Sequence, residues 1–142
     1  MKYKARFKVI AGAAVLAALL LVGVAGCNLF DDDSVSPRER VDAFMEDMNR
    51  SSRSNIRSKH IHPDASDYST LSTSYFEDPF PTDQTYTLSS VNVSGSTISA
   101  TINSSDGAWS GEAIEFRTRN DGDVAKIIRL TIDGERFVGR DL

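Results

Sequence analysis

A single cysteine, Cys27, serves the whole 142-residue chain. One thiol excludes an internal disulfide framework and any zinc site built on cysteine pairs. Basic charge is also short: 16 Lys and Arg face 20 Asp and Glu, a net charge of −4. Four of the basic residues (Lys2, Lys4, Arg6, Lys8) and none of the acidic ones precede Cys27, so the chain from Cys27 onward carries 12 against 20, or −8. That imbalance speaks against nucleic acid, whose binding needs a basic face, and against gripping anionic lipid through the domain surface. Catalytic punctuation is missing too. The chain has no Gly-rich phosphate loop, no HExxH pair and no GxSxG elbow.

What is there begins with the stretch Lys2–Cys27. A basic start, an apolar run of 18 residues from Val9 to Gly26 and small residues ahead of Cys27 make a secretory signal. The run is also about the shortest that spans a bilayer, so length alone leaves a retained helix open. Val24-Ala25-Gly26-Cys27 resembles the bacterial lipobox, an aliphatic and two small residues before a cysteine. That resemblance implies cleavage between Gly26 and Cys27, a diacylglyceryl thioether on Cys27 and often an acylated new amino terminus. Two or more acyl chains hold a protein stably where one does not. Residues 1–26 are thus expected to be a lipoprotein signal peptide, and 27–36 the lipidated cysteine with an acidic tether containing Asp31, Asp32 and Asp33. Asn28 is not the aspartate of inner-membrane retention in enterobacterial lipoproteins. The resemblance therefore implies an outer membrane, with the domain in the periplasm, over an inner one.

Residues 37–142 read as one α+β domain with room for one core. Ser36-Pro37-Arg38-Glu39 is a capping box with proline at the first helical position. Val41, Phe44, Met45 and Met48 then form one apolar stripe. A weaker helix is expected over about 53–60, ended by Pro63, and a short third one in 65–83 before Pro79 and Pro81 extend the chain. From Thr85 the period becomes two. Tyr86 and Leu88 share one parity and Val91 and Val93 the other, so a bulge is expected near Ser89-Ser90. Strands then follow around Ile98–Ile102, Ile114–Phe116, Ile128–Ile132 and Phe137–Val138, with turns at Gly95, Gly107, Gly122 and Gly134. In the fourth, Ile128, Leu130 and Ile132 are expected inward. Short turns imply an antiparallel meander of four to five strands, one face apolar, on which the N-terminal amphipathic helices pack.

This order of elements resembles the nuclear transport factor two-like (cystatin-like) superfamily, on the striped helix Val41-Asp42-Ala43-Phe44-Met45, the sequence His60-Ile61-His62-Pro63-Asp64 and the strands running to Phe137. The resemblance implies a curved sheet and a conical pocket between it and the helices. It implies no one chemistry, because the fold hosts isomerases, dehydratases and binding domains. Tyr68, Tyr75 and Tyr86 are the candidate pocket residues, as amphipathic side chains suited to a mostly apolar cavity.

His60, His62, Asp64 and Asp67 are the densest set of metal-ligating types. Their spacing matches no zinc signature, and a helix C-terminus followed by a turn accounts for them, so no metal is expected. Catalysis would draw on His60, Asp64, Tyr68 and Tyr75, but nothing in their spacing selects them, and no catalytic residue or cofactor is assigned. The expected function is a lipid-anchored, non-enzymatic domain of the cell envelope whose partner is an envelope protein or a small apolar molecule. The alternative is a lipid-tethered enzyme of isomerase or dehydratase type using the conical pocket.

Overall fold

The computed structural model describes residues 34–139, so Lys2–Cys27, most of the tether and the last three residues lie outside it. The described chain is α+β: α1 (Pro37–Met48), α2 (Ile56–His60) and α3 (Thr73–Glu77) precede β1 (Tyr86–Ser94), β2 (Thr97–Ser104), β3 (Ser110–Asp121), β4 (Val124–Ile132) and β5 (Glu135–Val138). The five strands form one antiparallel sheet in the order β1-β2-β3-β4-β5, as the short turns require.

The capping box closes the start of α1. The Ser36 hydroxyl accepts from the Glu39 amide at 3.3 Å, and the Ser36 amide donates to the Glu39 carboxylate at 2.8 Å. These bonds hold the Glu39 carboxyl below its ordinary pKa. The stripe Val41, Phe44, Met45 and Met48 is buried, facing β1, β2 and β4. Opposite it stand rows set by the strand register. Ile98, Phe116, Leu130 and Val138 share one row, and Ala100, Ile114 and Ile132 another. Phe44 stands at the centre, edge-on to Phe76, Phe80 and Phe116 with centroids 6.0–6.3 Å away. Pairs of this geometry add about 0.5–1.5 kcal/mol each beyond the area they bury.

The expected bulge is present: the β1–β2 register shifts between Ser89 and Asn92, with Ser90 at φ 52°. A second shift, opposite Arg117 and Thr118, was not legible in the alternation. It places Ile127 fully in the core and leaves Ile128 only half-buried, which corrects the expected inward set of β4. The second helix is also shorter than expected. Asn55 adopts the left-handed φ of 67°, so the helix begins at Ile56 and not near Arg53. In 65–72 turns occupy what reads as helical spacing, and the third helix waits for the Ser72 cap, whose hydroxyl accepts from the Tyr75 amide at 3.2 Å. Val35 is not tether. It is buried and pairs with β4, where the Ala125 amide donates to its carbonyl at 2.8 Å.

Both edges of the sheet are closed by side chains. On β1, the Asn49 amide group copies a neighbouring strand: its oxygen accepts from the Tyr86 amide at 2.7 Å and its nitrogen donates to the Tyr86 carbonyl at 2.9 Å. On β5, the Tyr75 hydroxyl donates to the Phe137 carbonyl at 2.6 Å, and Asp67 accepts from the Gly139 amide at 2.8 Å. Gly139 is required where it stands. Its φ is 73°, and a Cβ there would lie 2.5 Å from the Ile128 carbonyl oxygen.

Candidate functional site

The three tyrosines have separate environments. Tyr86 is a core residue, edge-on to Phe80 at 5.2 Å, with its hydroxyl donating to the Pro81 carbonyl at 2.9 Å. Burial raises its pKa, against the lowering influence of nearby Arg53, so the hydroxyl stays protonated. Tyr75 closes the β5 edge. Tyr68, half-buried, lies under the Arg57 guanidinium at 5.2 Å. The fold spends two of the three hydroxyls on backbone carbonyls.

The histidines and aspartates of 60–67 diverge in the same way. His62 accepts from the Asp64 amide at 3.0 Å through Nδ1 and donates from Nε2 to the Asn120 carbonyl at 3.3 Å. Asp64 meets Arg119 at 3.2 Å on the surface, and Asp67 holds the Gly139 amide. Among the described residues no three His, Cys, Asp or Glu side chains are grouped to hold a metal.

His60 enters a polar network that the sequence did not announce. It is fully buried, edge-on to Phe44 at 5.7 Å, between two residues of α1. Arg40 donates to Nδ1 at 3.2 Å, so the ring proton sits on Nε2, which donates to Asp47 at 2.7 Å. Arg40 also donates from Nε to the Ala125 carbonyl at 2.7 Å, tying α1 to β4. Asp47 is held further by Lys59 at 2.7 Å and Arg50 at 3.1 Å. Burial pushes the Asp47 carboxyl up, but the bonds from Lys59 and His60 outweigh it and its pKa is net lowered. Burial pushes His60 down to about 4; the Asp47 contact opposes this, and the Arg40 and Lys59 charges reinforce it. The one available signal was Arg40 and Asp47 seven residues apart, on the flank of the α1 stripe.

A second buried cation, Arg53, has carbonyls for partners. Its guanidinium donates to those of Met48, Phe76, Phe80 and Pro81, while its Nε is left without a partner. It fastens the end of α1 to the loop after α3. Nothing in the spacing of Asn49-Arg50-Ser51-Ser52-Arg53 singles it out.

An acid–base pair for catalysis would need a histidine or carboxylate facing a tyrosine across an open space. The shifted histidine and the shifted tyrosine do not meet: Phe44 and Phe80 stand in the run of contacts between His60 and Tyr86. A cleft of about 320 Å³ runs between 55–58 and 69–73, with Arg57 reaching across it to the Ser69 carbonyl at 3.3 Å. No described helix is long and apolar enough to cross a membrane. Comparison with family models, curated proteins and solved structures yields no match.

Proposed function

We propose that this chain is a bacterial lipoprotein, cut before Cys27 and held in the cell envelope by lipid on that cysteine. In this reading, Pro37 onward is a single binding domain outside the cytoplasm. The observation that carries the reading is Val24-Ala25-Gly26-Cys27 at the end of a basic-then-apolar leader. The charge supports it: a domain portion at −8 has little attraction to acidic head groups, so the lipid must do the holding. An outer-membrane position follows from Asn28 by the same resemblance. The fold-family assignment, to the nuclear transport factor two-like superfamily, is supported by helices followed by a five-strand meander. Register shifts in all four strand pairings are the usual means of curving such a sheet.

A binding role is favoured over an enzymatic one because the rings of Phe44, Phe76, Phe80 and Phe116 fill the space where the superfamily keeps its pocket. The same filling favours a partner met at the surface, such as an envelope protein, over a small apolar molecule held inside. The test is Cys27→Ser in a bacterial host fed labelled palmitate. The wild-type chain should take up label and sediment with membranes, and the variant should take up none. Label-free wild-type protein in the membrane pellet would replace the lipoprotein with a retained helix.

A further inference from the structure

The cleft beside α2 is unlike the rest of an acidic protein. Arg57 is its one charged lining residue, and no carboxylate lines it. Five hydroxyls do, from Ser58, Ser69, Thr70, Ser72 and Thr73, over a floor containing the buried Ile56 and Leu71. At about 320 Å³ it stands at the small end of the roughly 300–1,000 Å³ typical of small-molecule sites. A ligand of one ring fits that size.

The chemistry of the lining is divided. Arg57 is placed in advance, stacked on Tyr68 at 5.2 Å and tied to the Ser69 carbonyl. One guanidinium nitrogen makes that bond, and the remaining N–H donors of an exposed fork suit a planar oxyanion. The hydroxyls of Ser58 and Thr70 face the opposite way in hydrogen-bonding terms. Ser58 spends its proton on the Asn55 carbonyl at 3.1 Å and Thr70 on the Asp67 carbonyl at 2.8 Å. What each offers a ligand is lone pairs, which accept from a hydroxyl group. An oxyanion donor beside hydroxyl acceptors is the complement of a sugar ring bearing a carboxylate.

We propose that this cleft binds a monosaccharide acid, with the carboxylate on Arg57 and ring hydroxyls donating to Ser58 and Thr70. The proposal goes beyond the binding reading, adding a small polar ligand to the protein partner met at the surface, and it does not depend on the lipid at Cys27. The test is a ¹⁵N–¹H NMR titration of the full chain in detergent micelles with sodium glucuronate. Glucose, inorganic phosphate and sodium chloride at matched ionic strength are the comparison arms. Glucuronate should shift the Arg57 side-chain N–H and the 58, 70 and 73 amides saturably, with a Kd of about 1 mM, an affinity ordinary for one ring on one charge. Glucose and phosphate, each offering half the chemistry, should bind at least tenfold more weakly. Arg57→Gln should abolish saturation, and Arg57→Lys should weaken it severalfold, since the charge remains and the fork does not. The exposed position of Arg57 keeps both variants folded, which their unshifted core amides will show. No saturable shift with glucuronate would overturn the proposal. So would phosphate binding as tightly as glucuronate, which would reduce the cleft to a charge contact, or an Arg57→Gln variant binding like wild type. None of these outcomes touches the lipoprotein reading, which stands or falls on palmitate at Cys27.

Discussion

Lowering the pH should loosen this domain in a window set by His60. Folded, the ring titrates at about 4; unfolded, it titrates near 6.5. Between those values the unfolded chain binds the extra proton, so stability must fall as pH falls, and above 6.5 both states are neutral and the dependence vanishes. The geometry explains the gap. A second proton would have to enter at Nδ1, where the Arg40 guanidinium already points its own N–H at 3.2 Å in a site fully closed to water. At 1.36 kcal/mol per pKa unit, the loss on going from pH 7 to pH 4.5 is about 2 to 3 kcal/mol. That is a large share of the roughly 5–15 kcal/mol that holds a domain together. Glu39 and Asp47, with lowered pKa values, lose their stabilising charge as pH falls through those values, below the ordinary 4.5 and 3.8, and so act beneath this window. Urea unfolding followed by Trp109 fluorescence is the assay; that indole, the chain's only one, donates to the Pro79 carbonyl at 3.0 Å and packs edge-on to Phe137. His60→Gln supplies the control, since an amide can donate to Asp47 and accept from Arg40 without titrating. It should cost about 1 kcal/mol at pH 7 and flatten the dependence between pH 6.5 and 4.5. A wild-type stability that is level across that window, or a glutamine variant with the wild-type slope, would refute the assignment.

Two further substitutions probe the fastenings of the fold. Arg53→Met takes the donor from the buried carbonyls of Met48 and Phe80, at about 1–3 kcal/mol for each group left unsatisfied, while the Phe76 carbonyl keeps the Phe80 amide. A total loss of at least 2 kcal/mol in urea unfolding is expected, and a variant as stable as wild type would show that the guanidinium fastens nothing. Asn49→Ala removes the strand-like pairing of Tyr86 and should cost about 1–2 kcal/mol. Hydrogen exchange at the Tyr86 amide should accelerate far more than at Ile98 or Phe116, and equal acceleration everywhere would contradict a local edge closure.

Much of the scaffold is legible in the residues because it depends on period and on local turn chemistry. The Ser36 capping box, the α1 stripe, the bulge after Ser89 and the glycine turns all follow from neighbours within a few positions. What escapes depends on contacts between distant segments. The shift in β4 that buries Ile127 is set by pairing with Thr118, and a single strand carries no mark of its partner's register. Arg40, Asp47 and Arg53 read as surface charges until the fold closes around them. Tyr75 and Tyr86 follow the same rule: chemical type says what a side chain can do, and the partner it meets decides what it does. The cleft at Arg57 is made by the start of α2 and the segment leading into α3, which approach each other across ten intervening residues, 59–68. Its hydroxyl-rich composition was visible in advance, but its concavity was not.

The central claim concerns Cys27, and intact mass spectrometry of the chain extracted from bacterial membranes tests it most directly. The account predicts a polypeptide that begins at Cys27 and carries a diacylglyceryl group, with or without an amide-linked acyl chain, and that contains no residue from Met1–Gly26. A membrane-bound chain that begins at Met1 and keeps a free thiol at Cys27 would contradict it.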